Sequence, residues 1–434
     1  MPDVSTGDSP GNGVGLADSR GLILLPFRGV RYVEARVSDL ADVTSPPYDV
    51  LDADGVLALE SADSHNVVRL ILPRDDDCGP EGRYEHAAST LRRWLHEGVL
   101  TVDPEVGLYV YEQATDEAVV QRGLLGNVGL RDPAERVVLP HEDVMPGPVA
   151  DRLELMRAAR ANVEPILLMY DGESGRTAEV VDRVAAGPAT VTAHTHDGLT
   201  HRLWQLTDPA DLATVAADLA GRQALIADGH HRYAAYRALQ SELDTGSGTG
   251  PWDSGLALLV DLRAHPPRVG AIHRTVAALT LEAALRDAAA LFDVTRETVT
   301  DPVASALGLA TGELLLVAPD GLAARLVVRD RAAVEEIIGR DHPLQWRALD
   351  TAVLHQVLVE QVWDVADDRV SYHHDVAGAM RAAGRTGGTA VLLAPVAVES
   401  VLELAAEGVR MPRKSTSFGP KPRTGLVLRT FEAG

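Results

Sequence analysis

Residues 224–239 read ALIADGHHRYAAYRAL. An apolar run closes at Asp228, Gly229 permits a tight turn, and His230, His231 and Arg232 open a helix at once. Free backbone N–H groups and the positive end of the helix dipole make such a junction an anion site, to which the Arg232 fork adds paired donors. Phosphate is the anion that suits it. Other readings of the same stretch stay open: Asp228 as a simple helix cap with the histidines on the surface or in the core, or one histidine joining Asp228 on a metal. Adjacent helical side chains diverge by about 100 degrees, so His230 and His231 do not grip one ion together. Asp228 is the residue expected to reach a magnesium ion.

The rest of the chain alternates in the same way. Upstream, LILLPF, RYVEARV and NVVRLILP read as strands, RYEHAASTLRRWLHE as an amphipathic helix, and GLYVYEQ with RGLLGNVGL as paired strands. The loop TSPPYDVL, stiffened by two prolines, presents Tyr48 and Asp49. DRLELMRAARAN and DLATVAADLAG read as helices, PILLMY and RLWQL as strands. Beyond the linker near 245–255, LALLVDL, AIHRTV, LLLVAP, ARLVV, TAVLLAP and GLVLRT read as strands among the helices LEAALRDAAALF, LDTAVLHQVLVEQVW and VESVLELAAEG. The expected class is α/β with mixed sheets (α+β), divided into a leader 1–20, a region 21–244 and a region 256–434.

A chain of 434 residues, 46% of them hydrophobic, can bury a large core. Its net charge of -23 argues against a nucleic-acid or anionic-membrane binder, so any anion must be recognised locally. The single cysteine, Cys78, beside Asp75, Asp76 and Asp77, excludes a disulfide framework and reads as a loop thiol. No apolar run approaches the roughly 20 residues of a membrane span. The first 20 residues lack the pattern of a signal peptide. The expected location is cytoplasmic, and a homodimer is one option for assembly.

Two further stretches carry chemistry. In VLPHEDVMPGPVADRLELM, residues 138–156, His141 and Glu142 leave a strand into a Pro and Gly loop and Asp151 with Arg152 opens the next helix. A histidine and a carboxylate on such a loop supply a general base and a magnesium ligand, or else only capping groups. In MPRKSTSFGPKPRTG, residues 411–425, stand both lysines of a chain with 40 Lys plus Arg. A drift toward arginine leaves lysine where a compact ammonium is needed, and Lys414, Ser415, Thr416 and Lys421 together suit a phosphate. His194, His196 and His201 of HTHDGLTH, and His373 and His374 of SYHHD, read as hairpin or loop surfaces. His273 and Arg274 of AIHRTV either reach the phosphate site or pair with acids.

SPPYDVL, NVVRLILP, LYVYEQ, LPHEDV with ADRLEL, LIADGHHRYAAY, AIHRTV, LDTAVLHQVL and MPRKSTSFGPKPRTGLV occur in this order over nearly the whole chain. The set resembles the domain of unknown function 1015 family, and its DGHHR element is similar to the phosphate-binding motif of the ParB and sulfiredoxin-like fold and of ParB-like kinases that phosphorylate free serine. The resemblance implies a ParB/sulfiredoxin-like core elaborated into a larger fold. It also implies a phosphate cradle from Asp228 through Gly229 to Arg232, with Asp228 and His231 near the reacting phosphoryl group. No helix-turn-helix with a basic face is present, so chromosome partitioning is not expected. The expected activity is phosphotransfer from a nucleotide (ATP, ADP or CTP), with magnesium, to a small hydroxyl metabolite such as serine. Glu142 or His141 would be the base. An O-phosphoserine phosphatase, a non-catalytic nucleotide switch and a zinc hydrolase using His141 and Glu142 are the other readings.

Overall fold

Strands buried on both faces are expected to read as continuous apolar runs, and ILLMY, ALIAD and SGLALLVD, buried along their whole length, do so up to their polar ends. In the computed structural model, which describes residues 21–74, 82–173, 175–244, 246 and 249–433, nine strands form one mixed sheet. They are β1 (Leu24–Leu25), β2 (Leu108–Ala114), β3 (Val119–Gly129), β4 (Val138–Leu139), β5 (Ile166–Tyr170), β6 (Val191–His194), β7 (Thr200–Leu206), β8 (Ala224–Asp228) and β9 (Ser254–Asp261). Their order is β4-β8-β5-β9-β3-β2-β7-β6, with β1 on β3; β4 lies parallel to β8 and β5 parallel to β9, the other pairs antiparallel. Successive residues enter opposite cores: Leu167, Met169 and Leu225 on one face, Ile166, Leu168 and Ile226 on the other.

A second, wholly antiparallel sheet uses β10 (His273–Val276), β11 (Phe292–Thr298), β12 (Glu313–Val317), β13 (Leu322–Val328), β14 (Val370–His373) and β15 (Thr389–Leu393), in the order β11-β13-β12-β15-β10-β14. The mixed α/β class is therefore as the sequence indicates. One hydrophobic core joins the two sheets, because Leu167 and Leu258 of the first share it with Leu314 and Val391 of the second. The strand after the 245–255 linker, β9, sits inside the first sheet, and the change of sheet falls between Asp261 and His273. The expected leader 1–20, Cys78 with its aspartates, and linker residues 245, 247 and 248 lie outside the described residues. Among those described, no helix is long and apolar enough to cross a membrane.

Three segments differ from their sequence pattern, the first being RYVEARV, which is strand only through Tyr32 and turns into a short 3-10 helix at Glu34–Arg36. NVVRLILP forms not a strand but the short helix α1 (Val68–Ile71), with Val67, Val68, Leu70 and Ile71 all buried. A short run buried on every side has no periodicity to separate helix from strand. Local hydrogen bonding decides: Asn66 accepts the Val68 N–H at 2.9 Å and donates to the Asp42 carbonyl at 2.6 Å. The last strand shrinks to Arg429–Thr430, paired with Ala161–Asn162. Of the helices, α2 (Gly82–His96), α3 (Pro146–Ala159) and α4 (His230–Leu243) belong to the first sheet's layers, and α5 (Val353–Val362) is a wide helix bonded i to i+5.

Candidate functional site

The strand, glycine and helix of residues 224–239 form as read: β8 ends at Asp228, Gly229 has φ +95°, and α4 begins at His230. A Cβ on Gly229 would lie 2.8 Å from Ile166 Cγ2, and the left-handed backbone disfavours any side chain there. Gly229→Ala is expected to cost about 1–3 kcal/mol, read as a lower urea midpoint at unchanged m-value.

Arg232 departs from its expected role. It is 2% exposed, and its guanidinium donates to the Pro165 carbonyl at 2.6 Å and to Asp228 at 2.5 Å. Both terminal nitrogens are engaged by the protein, so they fix Asp228 rather than offering paired donors to a phosphate, while Nε is buried with no partner among the described residues. The Tyr48 ring lies between two guanidiniums, 4.3 Å from Arg152 and 5.7 Å from Arg232, and its backbone N–H donates to buried Glu164. Arg152 also lies 3.5 Å from Glu164 and donates to the Ile71 carbonyl; Asp151 is held by Arg152, Arg83 and Tyr84. Asp151 and Arg152 thus support the Tyr48 loop from behind.

Lys421 reaches this cluster from far along the chain. Its ammonium lies 2.6 Å from Asp49 and 2.7 Å from Asp228. Burial raises the Asp49 carboxyl, yet Lys421 and Arg232 together hold it below the usual carboxylate range. Burial likewise lowers Lys421, and Asp228 and Asp49 outweigh it, raising the ammonium above its ordinary value. A compact point charge can sit between two carboxylates at these distances, which accounts for lysine at 421.

Histidines pin the loop of Glu142 to α4. The His141 N–H donates to His230 Nε2 at 3.3 Å, and the Met145 N–H donates to His231 Nε2 at 3.0 Å. His141 and His230 meet edge to face at 4.5 Å. Burial pushes His141 down to about 4 and holds His230 well below the usual range, with His141 beside it adding to the effect; burial and then Lys414 lower His231. Both motif histidines therefore work as neutral acceptors that hold the loop, with their Nε2 atoms unavailable to a phosphate.

The lysine loop closes on the same place. His141 Nε2 shares a hydrogen bond with Thr416 Oγ1 at 2.9 Å, and the Ser415 N–H donates to Glu142 at 3.3 Å. The Ser415 hydroxyl donates to the Pro412 carbonyl and meets Thr351, so neither hydroxyl expected at a phosphate is free. Arg274 donates to the Lys414 carbonyl at 2.8 Å, which assigns it to loop support; His273 accepts the Leu393 N–H inside the sheet. Burial pushes the Glu142 carboxyl above the ordinary range, Lys414 pulling the other way. Lys414, with φ +55°, has no ion pair among the described residues.

These segments enclose a cavity of about 310 Å³. Its wall includes Tyr48, Asp49, His141, Glu142, Asp228, Gly229, His230, His231, Arg232, Lys414, Thr416 and Lys421, so the three motif regions converge. Asp151, Arg152, His273, Arg274 and Ser415 stand behind the wall. Residues that sequence reasoning missed or passed over also line it: His374, Tyr372, Arg413 and Phe418. The HH pair of SYHHD was the only local signal for His374. Buried Glu164 had none, because its hydrogen-bond partners Tyr48, Tyr236 and Thr424 stand 116, 72 and 260 residues away along the chain. His201 is buried between Tyr111 and Thr195 rather than on a surface, while His194 bonds Thr200 across its hairpin.

Asp228, the residue expected to reach a magnesium ion, has both carboxylate oxygens engaged by protein cations. Lys421 occupies the place between Asp49 and Asp228, and the second oxygen of Asp228 is engaged by Arg232. No group of three or more His, Cys, Asp or Glu among the described residues could hold a metal, which also removes the basis for a zinc centre at His141.

No curated protein matches the chain. Similar solved structures include a free serine kinase in complex with AMP, 16% identical, covering 68% of this chain and 90% of that one at a TM-score of 0.33. A conserved hypothetical protein from Pyrococcus furiosus is 15% identical, covering 68% and 94% at 0.33. SbnI from Staphylococcus aureus, truncated at its C-terminus, is 12% identical, covering 70% and 87% at 0.36. At such low overlays the site must be argued from its own residues. The model of the family described as "protein of unknown function (DUF1015)" matches residues 24–352, which include Tyr48, Glu142 and the DGHHR turn; Tyr372, Lys414 and Lys421 lie beyond the match. The chain belongs to the DUF1015 family.

Proposed function

We propose that the cavity transfers a phosphoryl group from a nucleotide to a small hydroxyl-bearing metabolite such as serine. The observation that carries this reading is the placement of the Glu142 carboxyl and the unpaired Lys414 ammonium in one cavity with the first turn of α4. The substrate hydroxyl gives its proton to Glu142 while its oxygen bonds to the terminal phosphorus. The bond from that phosphorus to the bridging oxygen breaks, and the shortened nucleotide leaves. Lys414 and the N–H groups at the start of α4 offset the negative charge of the transferred group. The Asp49, Lys421, Asp228 and Arg232 cluster keeps the wall rigid beneath it. Cytoplasmic placement and a small phosphate-bearing ligand, without nucleic acid, belong to the same reading.

A volume of about 310 Å³ stands near the lower end of the roughly 300–1,000 Å³ of small-molecule sites. That smallness favours a second reading, hydrolysis of O-phosphoserine, in which water takes the phosphoryl group. Phosphorus NMR separates the two. The protein is mixed with serine and ATP, ADP or CTP, with and without magnesium, and separately with O-phosphoserine. New phosphoserine with loss of nucleotide supports transfer; free phosphate from O-phosphoserine alone supports hydrolysis. Broadened nucleotide lines without turnover would indicate a binding switch, and unchanged lines throughout would refute all three.

Ligand binding should depend on Lys414. Lys414→Ala is expected to weaken phosphate-ligand binding by about ten- to a hundredfold, the worth of one charge-assisted hydrogen bond, in titration calorimetry. Lys414→Arg should impair it too, because the larger planar group does not fit the same space. His194→Ala, on the distant hairpin, should change nothing.

A further inference from the structure

Tyr372 is a large aromatic residue left 38% exposed on the wall of the cavity. Two side chains brace its ring. His355, on the wide helix α5, stacks against it at 5.8 Å and 13°, and the Arg274 guanidinium lies 5.1 Å from its centre. Arg274 in turn donates to His355 Nε2 at 3.1 Å and to the Lys414 carbonyl at 2.8 Å. One guanidinium therefore fixes both the aromatic ring and the backbone of the lysine that faces the phosphate end. Beside the ring on the cavity wall stand Asp367, an acceptor, and Arg413, a donor with no ion pair among the described residues.

A flat ring kept partly bare, braced by a second ring and a cation and flanked by one donor and one acceptor, matches what a nucleobase needs. We infer that Tyr372 is the stacking platform for the base of the nucleotide, with Asp367 and Arg413 at the base edge. The inference rests on the phosphoryl-transfer reading and adds the position of the base to it.

Calorimetric titration of the full chain with ADP and with inorganic pyrophosphate tests it. The wild type is expected to bind ADP more tightly than pyrophosphate. Tyr372→Ala should weaken ADP by about tenfold or more, the usual worth of one stacked base, and leave pyrophosphate unchanged. Tyr372→Phe should restore ADP binding, which separates stacking from damage to the fold. If Tyr372→Ala lowers neither affinity, or both equally, or if Tyr372→Phe fails to restore ADP, the platform is overturned while phosphate binding stands. The same holds if the wild type binds the two ligands alike. A wild type that binds neither ligand overturns the platform and the nucleotide reading together.

Discussion

Glu142→Gln is expected to lower kcat by about 10²- to 10⁴-fold, the usual contribution of a positioned general base. It should also leave the protein as stable as the parent or more stable. The amide keeps an oxygen for the Ser415 N–H and fills the same space. It removes a charge that burial disfavours. Because the folded-state pKa of Glu142 lies above its unfolded value, the folded chain holds more protons between the two. Stability therefore falls as pH rises from the unfolded value through the folded one, and above that window the wild type carries a penalty that the glutamine variant lacks. Turnover moves the opposite way, since a base works only when ionised. The acid limb of kcat should lie above the ordinary glutamate value of about 4.3 and vanish in the variant's residual activity. Phosphorus NMR under saturating substrate and thermal melts across pH read the two effects separately. A variant with full turnover would remove Glu142 from the chemistry, and one with a much lower melting temperature would make it a structural residue.

Lys421→Met is expected to destabilise the fold by about 1–3 kcal/mol, because it leaves a carboxylate whose side chain is 28% exposed without its hydrogen-bonded ammonium. The Lys421 side chain is 15% exposed, and Asp49 and Asp228 both point at its ammonium. Asp228 would keep Arg232, but Asp49 would lose the only cation hydrogen-bonded to it among the described residues. The pH dependence has a definite sign. Asp49 titrates below its unfolded value, so the stability it contributes is present above about pH 4 and lost as pH falls through the folded value. The gap between wild type and Lys421→Met should accordingly narrow in acid. Adding Asp49→Asn to Lys421→Met should recover part of the loss at neutral pH. Urea denaturation of the four proteins of that cycle measures the coupling; additive losses would show that the pair does not act as one unit.

What is legible in the sequence and what is not follows the range of the interactions involved. The turn at Gly229, the amphipathic helix after it and the apolar strands flanking it were legible because each rests on contacts within a few residues. The two lysines were conspicuous against a background of arginine, and that singularity pointed to the cavity wall without saying what either lysine touches. Local pattern failed where burial was complete. NVVRLILP had no polar face to reveal its period, and an asparagine side chain turned it into a helix. Local pattern also failed for the directions of polar side chains. Arg232, His230, His231, Ser415 and Thr416 have the chemistry of phosphate ligands, but each has a partner inside the protein, brought there by strands and loops remote in sequence.

What the sequence alone determined was the class of fold, the strand-to-helix turn and the set of residue types able to handle a phosphate. Only the tertiary structure decided which of them remain free. It set Lys421 between Asp49 and Asp228, left Lys414 beside Glu142 with no ion pair among the described residues, and left Tyr372 partly exposed on the cavity wall. The first two outcomes depend on pairs separated by hundreds of residues, whose approach is fixed by the shared core of two sheets and not by any neighbour along the chain.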